Sequence, residues 1–165
     1  GSRTQLESAI TLAYDTYGTV VDSNSKLVWK KYRSTQASID GIVPVTSGDS
    51  IVNAVVAVSN YLGADFNAVS YMEQGHTAVE TFDNIRGVHG ISLTGITYEK
   101  ALSYVGDGSP VIARIGEDEY IIITAYNSSE IAYIEASTGA QKTASMNEAG
   151  KMFSQGGNIY VTYYK

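Results

Sequence analysis

A chain of 165 residues, 44% apolar and 17% charged, is long enough for one hydrophobic core, too short for two, and too apolar to be disordered. Its net charge is −6, and its eleven Lys and Arg form no run longer than Lys30-Lys31, which excludes a phosphate-tracking surface and makes nucleic acid an unexpected partner. No apolar run approaches the ~20 residues of a membrane span, and the absence of cysteine removes disulfides, thiolate metal sites and a thiol nucleophile together.

The start "GSRTQ" lacks Met and reads as a cloning scar, so a segment of a longer protein is expected. Residues 4–14 carry Leu6, Ala9, Ile10 and Ala13 at helical spacing, and "YDTYGTVVDSNSKLVWKKY" then alternates strand-like runs with an Asp-Ser-Asn-Ser turn. A short helix and a hairpin follow from this. After a loop, residues 51–62 form a helix whose Ile51, Val52, Val55, Val56, Val58 and Leu62 make it apolar on most sides. β-branched residues are mediocre helix formers, so burial must hold this helix together. Asp49 or Ser50 at its start is suited to capping free backbone N–H groups, a contribution of ~1 kcal/mol.

Two short helical segments, "DFNAVSYMEQG" and "HTAVETFDNIR", meet at Gly75, and "GVHGISLTGI" reads as a glycine-containing loop. Thr97 is placed to cap a helix through Tyr104 that ends at Gly106 and Gly108. The second half changes character. "PVIARI", "EYIIITAY", "IAYIEA" and "NIYVTYY" are β-branched, Tyr-rich runs and predict a mainly antiparallel sheet. Between the last two, Ser145 and Glu148 form a Ser-x-x-Glu helix start. Helices first and strands later is the order of an α+β domain.

His76 and His89 lie thirteen apart with no Cys and no His-x-x-x-His spacing, so neither a metal site nor a cofactor is expected. The order of elements carries more. A loop feeding the positive end of a buried helix, followed by strands with polar residues at their ends, is the order nucleophile, base, orienting group of papain-like thiol hydrolases.

At this level the chain resembles the C39-like (double-glycine) peptidases. "SIVNAVVAVSNYLGADFNA" is similar to their nucleophile helix, which a Cys opens and an Asn-Tyr-hydrophobic-Gly segment closes, here Asn60, Tyr61, Leu62 and Gly63. "GSPVIARIGEDEYIIITAYNSSEIAYIEASTG" resembles their second half, a hydrophobic strand, a His, a second strand, and a Tyr-x-Asp-Pro-x-x-Gly pattern. The resemblance runs over residues 42–164 and implies a papain-like α+β fold, a helical half packed on an antiparallel sheet. Residues 1–40 are then an N-terminal helix and hairpin extension, and residues 41–165 the C39-like domain.

On this match Ser50 stands where the nucleophilic Cys is expected, Glu119 where the His is, and Glu135 where the orienting Asp is, with Ala136 replacing the following Pro. The base position is open to a shift of one or two residues from Glu119. Val45, Thr46 and Ser47 occupy the region of the oxyanion Gln. A serine hydroxyl needs a base, and a carboxylate is weak at that task unless burial or a second carboxylate raises its pKa by several units. The expected function is therefore a catalytically degenerate C39-like domain that binds a peptide or protein segment, its own parent protein being one source of it. Thirteen tyrosines supply candidates to line a groove, Tyr98, Tyr120 and Tyr126 foremost, with Tyr104 and Tyr133 beside them. The alternatives are a peptidase acting through Ser50, or through a Cys that Ser50 replaces, and a structural spacer in a larger surface protein. The expected setting is bacterial, extracellular or cell-envelope.

Overall fold

Apolar periodicity sets the local elements, and the computed structural model describes residues 5–31 and 35–165 of the chain. The expected beginning of the first helix at residue 4 and the end of the hairpin at residue 32 lie outside the described residues. Helix α1 (Gln5–Thr16) is followed by a small antiparallel hairpin, β1 (Thr19–Val21) and β2 (Leu27–Lys30), and by the two-residue strand β3 (Ala37–Ser38). Three helices come next: α2 (Ser50–Tyr61), α3 (Ala68–Glu73) and α4 (Ala78–Asp83). The rest of the chain is β4 (His89–Thr94), α5 (Tyr98–Gly106), β5 (Val111–Gly116), β6 (Glu119–Tyr126), β7 (Glu130–Glu135), β8 (Gln141–Ser145), α6 (Met146–Gln155) and β9 (Ile159–Tyr164).

The main sheet is antiparallel, in the order β4-β9-β5-β6-β7-β8, with β3 paired to the end of β6. Both faces carry helices. Because side chains alternate along a strand, Ile121 and Ile123 of β6 join one cluster with Ile10, Trp29, Leu102 and Phe153, while Ile122 joins the other with Val55, Val58, Phe82 and Ile134. Helices α1, α5 and α6 therefore pack on one side of the sheet, and α2 and α4 on the other. The observed architecture is the expected α+β one, with the helices divided between two faces.

The N-terminal segment shares the central core. Ile10 and Trp29 are fully buried, the Trp29 indole donates to the Lys100 carbonyl at 3.0 Å, and Ala37 pairs with Tyr126 in the main sheet.

Besides the two-residue β3, which lies in the segment expected as a loop, two strands depart from the expected elements. "GVHGISLTGI", expected as a loop, contains β4, which pairs along its whole length with β9. The glycine that suggests a loop permits the strand: a Cβ at Gly90 would lie 2.5 Å from the Val79 carbonyl oxygen, so only glycine lets α4 lie this close. The second is β8, with exposed Gln141, Lys142 and Thr143 and only Ala144 buried. An edge strand needs no apolar run, and its lysine discourages pairing with a further chain.

Candidate functional site

Asp49 is the extended residue before α2, yet its side chain makes no capping hydrogen bond. Ser50 does not cap the helix either. Its Oγ accepts from the Tyr120 N–H at 2.9 Å, and its hydroxyl donates to the Tyr120 carbonyl at 3.4 Å. The Tyr120 carbonyl also accepts from the Ala136 N–H at 3.1 Å, so the start of α2, the start of β6 and the end of β7 meet at one point. The helix-end capping expected from these two residues is replaced by a tertiary bond that spacing along one element does not reveal.

The residue that ties this junction together is Asn53, 1% exposed. Its Oδ1 accepts from the Gly48 N–H at 2.8 Å, and its Nδ2 donates to the Ala136 carbonyl at 2.9 Å. Both halves of the amide are used. The signal in the sequence is one polar side chain inside the apolar run "IVNAVVAV", three residues after Ser50. The loop before the helix is anchored again further back. Gly139, at φ +77°, leaves room such that a Cβ there would come within 3.1 Å of Pro44 Cβ and of Thr46 Cγ2. The segment in which the resemblance implies an oxyanion Gln therefore rests on the β7–β8 turn.

Strand alternation decides which side chains face α2. Tyr120 is half-buried and packs with Ile122, Ile134 and Ala136 in the α2 cluster. Glu119, expected in the base position, is exposed at the β5–β6 hairpin, opposite Gly116 in register. Glu135, expected in the orienting position, lies opposite Ile121, whose side chain belongs to the α5 side. Its carboxylate is occupied by the Lys142 ammonium at 3.0 Å and the Thr138 hydroxyl at 2.9 Å, and these two bonds hold its pKa below the ordinary carboxylate value. Positions 120 and 136, one residue beyond each glutamate, are the ones beside Ser50.

A folded-state pKa depressed in this way adds stability above the unfolded-state pKa, and the gain disappears as pH falls through the folded value. Glu135→Gln is accordingly expected to lower the chemical-denaturation midpoint slightly at pH 7 and not at all at pH 2. Equal losses at both pH values would rule out the ion pair as the source.

The tyrosines do not share one surface. Tyr120 faces α2, whereas Tyr98 packs against the α5 and α6 side, its ring 6.0 Å from that of Phe153. Tyr126 is 4% exposed, because a bulge after Ile123 turns it into the α5-side core. Tyr104 and Tyr133 are buried on that same side, and the Tyr104 hydroxyl has no hydrogen-bond partner among the described residues.

Neither imidazole is at the junction. His76 stacks on Tyr71 at 3.7 Å and hydrogen-bonds the Tyr71 carbonyl, and His89 stacks on Tyr164 in the edge strand β4, three strands from β6. Among the described residues, no cluster of three His, Asp or Glu side chains could hold a metal ion, and no helix is long and apolar enough to cross a membrane.

A solved structure from Bacillus anthracis, described as a C39-like peptidase, superimposes with a TM-score of 0.64 over 80% of this chain and 98% of its own, at 10% sequence identity. The fold is shared with a C39-like peptidase. No family model and no curated protein matches the sequence. At 10% identity the likeness concerns the backbone architecture. At this chain's junction the side chains of Ser50 and Asn53 meet the backbone of Tyr120 and Ala136.

Proposed function

We propose that this chain is a catalytically inactive domain on a C39-like peptidase scaffold, and that it binds a peptide or protein segment without cleaving it. The observation that carries this reading is the Ser50 hydroxyl, engaged by the Tyr120 N–H and carbonyl, with no carboxylate or imidazole hydrogen-bonded to it among the described residues. Hydroxyl activation requires a group that takes the proton within hydrogen-bond reach, and a backbone carbonyl cannot do so. On this reading positions 120 and 136, rather than 119 and 135, stand with Ser50 for base, orienting group and nucleophile, and here they hold the helix to the sheet.

Two measurements test the reading. A fluorophosphonate probe is expected to leave Ser50 unlabelled, and Ser50→Ala is expected to leave peptide affinity unchanged while removing about 1–2 kcal/mol of stability with the lost acceptor. Calorimetric titration against a peptide library, including segments that flank this one in its parent protein, is expected to give saturable binding with every peptide recovered intact. Labelling of Ser50, or cleavage that Ser50→Ala abolishes, would establish an enzyme instead. Absence of binding throughout the library would remove the binding function.

A further inference from the structure

The α2 face of the sheet is not covered along its whole length. Beyond the end of α2, a groove of about 620 Å³ runs between the segment 38–42 and the edge strand β8, and its lining includes Asp40, Ile42, Thr124, Ala132 and Gln141. A second hollow of about 510 Å³ shares Ser38, Ala125 and Ala132 with it and continues to Glu130. Neither Ser50, Tyr120 nor Asn53 lines either of them. From Tyr120 to Thr124 along β6 is about 13 Å, which separates the trough from the Ser50 junction.

Its shape suits an extended chain. Thr124, Ala125 and Ala132 make a floor of short side chains, so another backbone can come close. The stretch from Ile134 to Glu130 is again about 13 Å, the span of about four extended residues. Ser38, Gln141 and Thr143 place hydroxyl and amide groups on the walls, where peptide N–H and C=O groups need partners.

Its charge selects among peptides. Asp40 is exposed on one wall and Glu130 stands at the far end, while Lys142, the cationic residue of the lining, has its ammonium held by Glu135 at 3.0 Å. The net charge of −6 adds to the same field. We infer that the trough along β6, β7 and β8, and not the Ser50 junction, is the peptide site of this domain, and that it takes an extended cationic segment of about four residues. The inference rests on the reading of the domain as a peptide binder and locates the ligand on it.

Amide-resolved NMR titration of the intact chain with (Gly-Lys)3, (Gly-Ser)3 and (Gly-Glu)3 tests it. With (Gly-Lys)3, shifts are expected in residues 38–42, 124–125, 130–134 and 141–143, with weaker effects from (Gly-Ser)3 and none from (Gly-Glu)3. The surface pair Asp40→Asn and Glu130→Gln is expected to weaken (Gly-Lys)3 about three- to tenfold and to leave (Gly-Ser)3 unchanged. Shifts concentrated in residues 44–53 and at Tyr120 would overturn the trough and leave peptide binding standing. Preference for (Gly-Glu)3, or no shift with (Gly-Lys)3 at millimolar peptide, would overturn the cationic trough, and the library titration then decides separately whether the domain binds peptides at all.

Discussion

Replacing Ser50 by Cys and Tyr120 by His in one chain is expected to create an activated thiol, whereas Ser50→Cys with Glu119→His is not. Both double variants place the sulfur at the start of α2, so the helix dipole acts equally on each and only the imidazole differs. Position 120 faces the helix with Ile122 and Ile134, and position 119 is at the exposed hairpin. An adjacent imidazolium lowers a thiol from about 8.5 to about 7 or below, which raises the iodoacetamide alkylation rate at pH 6 by about five- to tenfold once the lower nucleophilicity of the thiolate is included. Rate against pH, with Ser50→Cys alone as reference and circular dichroism to verify folding, gives the thiol pKa of each variant. A lower pKa with His at 119 than at 120 would place the base position at Glu119 after all.

Asn53→Ala is expected to be among the more damaging single substitutions on α2. The amide satisfies the Gly48 N–H and the Ala136 carbonyl at once, and Ala136 is 3% exposed, so its carbonyl finds no ready replacement in water. Losing both bonds costs about 2–3 kcal/mol, or a fall in Tm of about 5–10 °C for a chain of this size. Asn53→Asp separates the two functions of the amide. The carboxylate retains an acceptor for Gly48 but turns an oxygen toward the Ala136 carbonyl in a buried place. Burial raises the folded-state pKa of the introduced group above its unfolded value, so the destabilisation is full at neutral pH and shrinks as pH falls through the folded pKa. Thermal melts of wild type and both variants at pH 4 and pH 7 check this. No loss for Asn53→Asp at either pH would show that the carbonyl contact contributes nothing.

These two results concern the same point in the fold, where the sequence and the tertiary structure contribute differently. Helix α2 was legible because Val55, Val58 and Leu62 recur at helical spacing, and β5, β6, β7 and β9 because their β-branched runs are bounded by turn residues. α6 was legible from its Ser145 and Glu148 start, where the Ser145 Oγ accepts from the Glu148 N–H at 3.1 Å. Each of these signals is local: the residues that make it lie within one or two turns, or one strand, of each other.

Legible from residues alone are therefore α2, α6, the strands β5, β6, β7 and β9, their order, and the α+β class that makes a papain-like scaffold the natural expectation. Packing between distant elements, by contrast, sets which side chain faces which. A register difference of one residue exchanges Glu119 for Tyr120 and Glu135 for Ala136 beside Ser50, because strand side chains alternate, and register is set by pairing between strands far apart in the chain. The bulge after Ile123 buries Tyr126 by the same logic, and β8 exists through its partner β7, its own residues being polar. Ser50 shows both levels at once. Its place at a helix start is written in the residues around it, and its bond to Tyr120 arises only when a helix and a strand seventy residues apart are packed together.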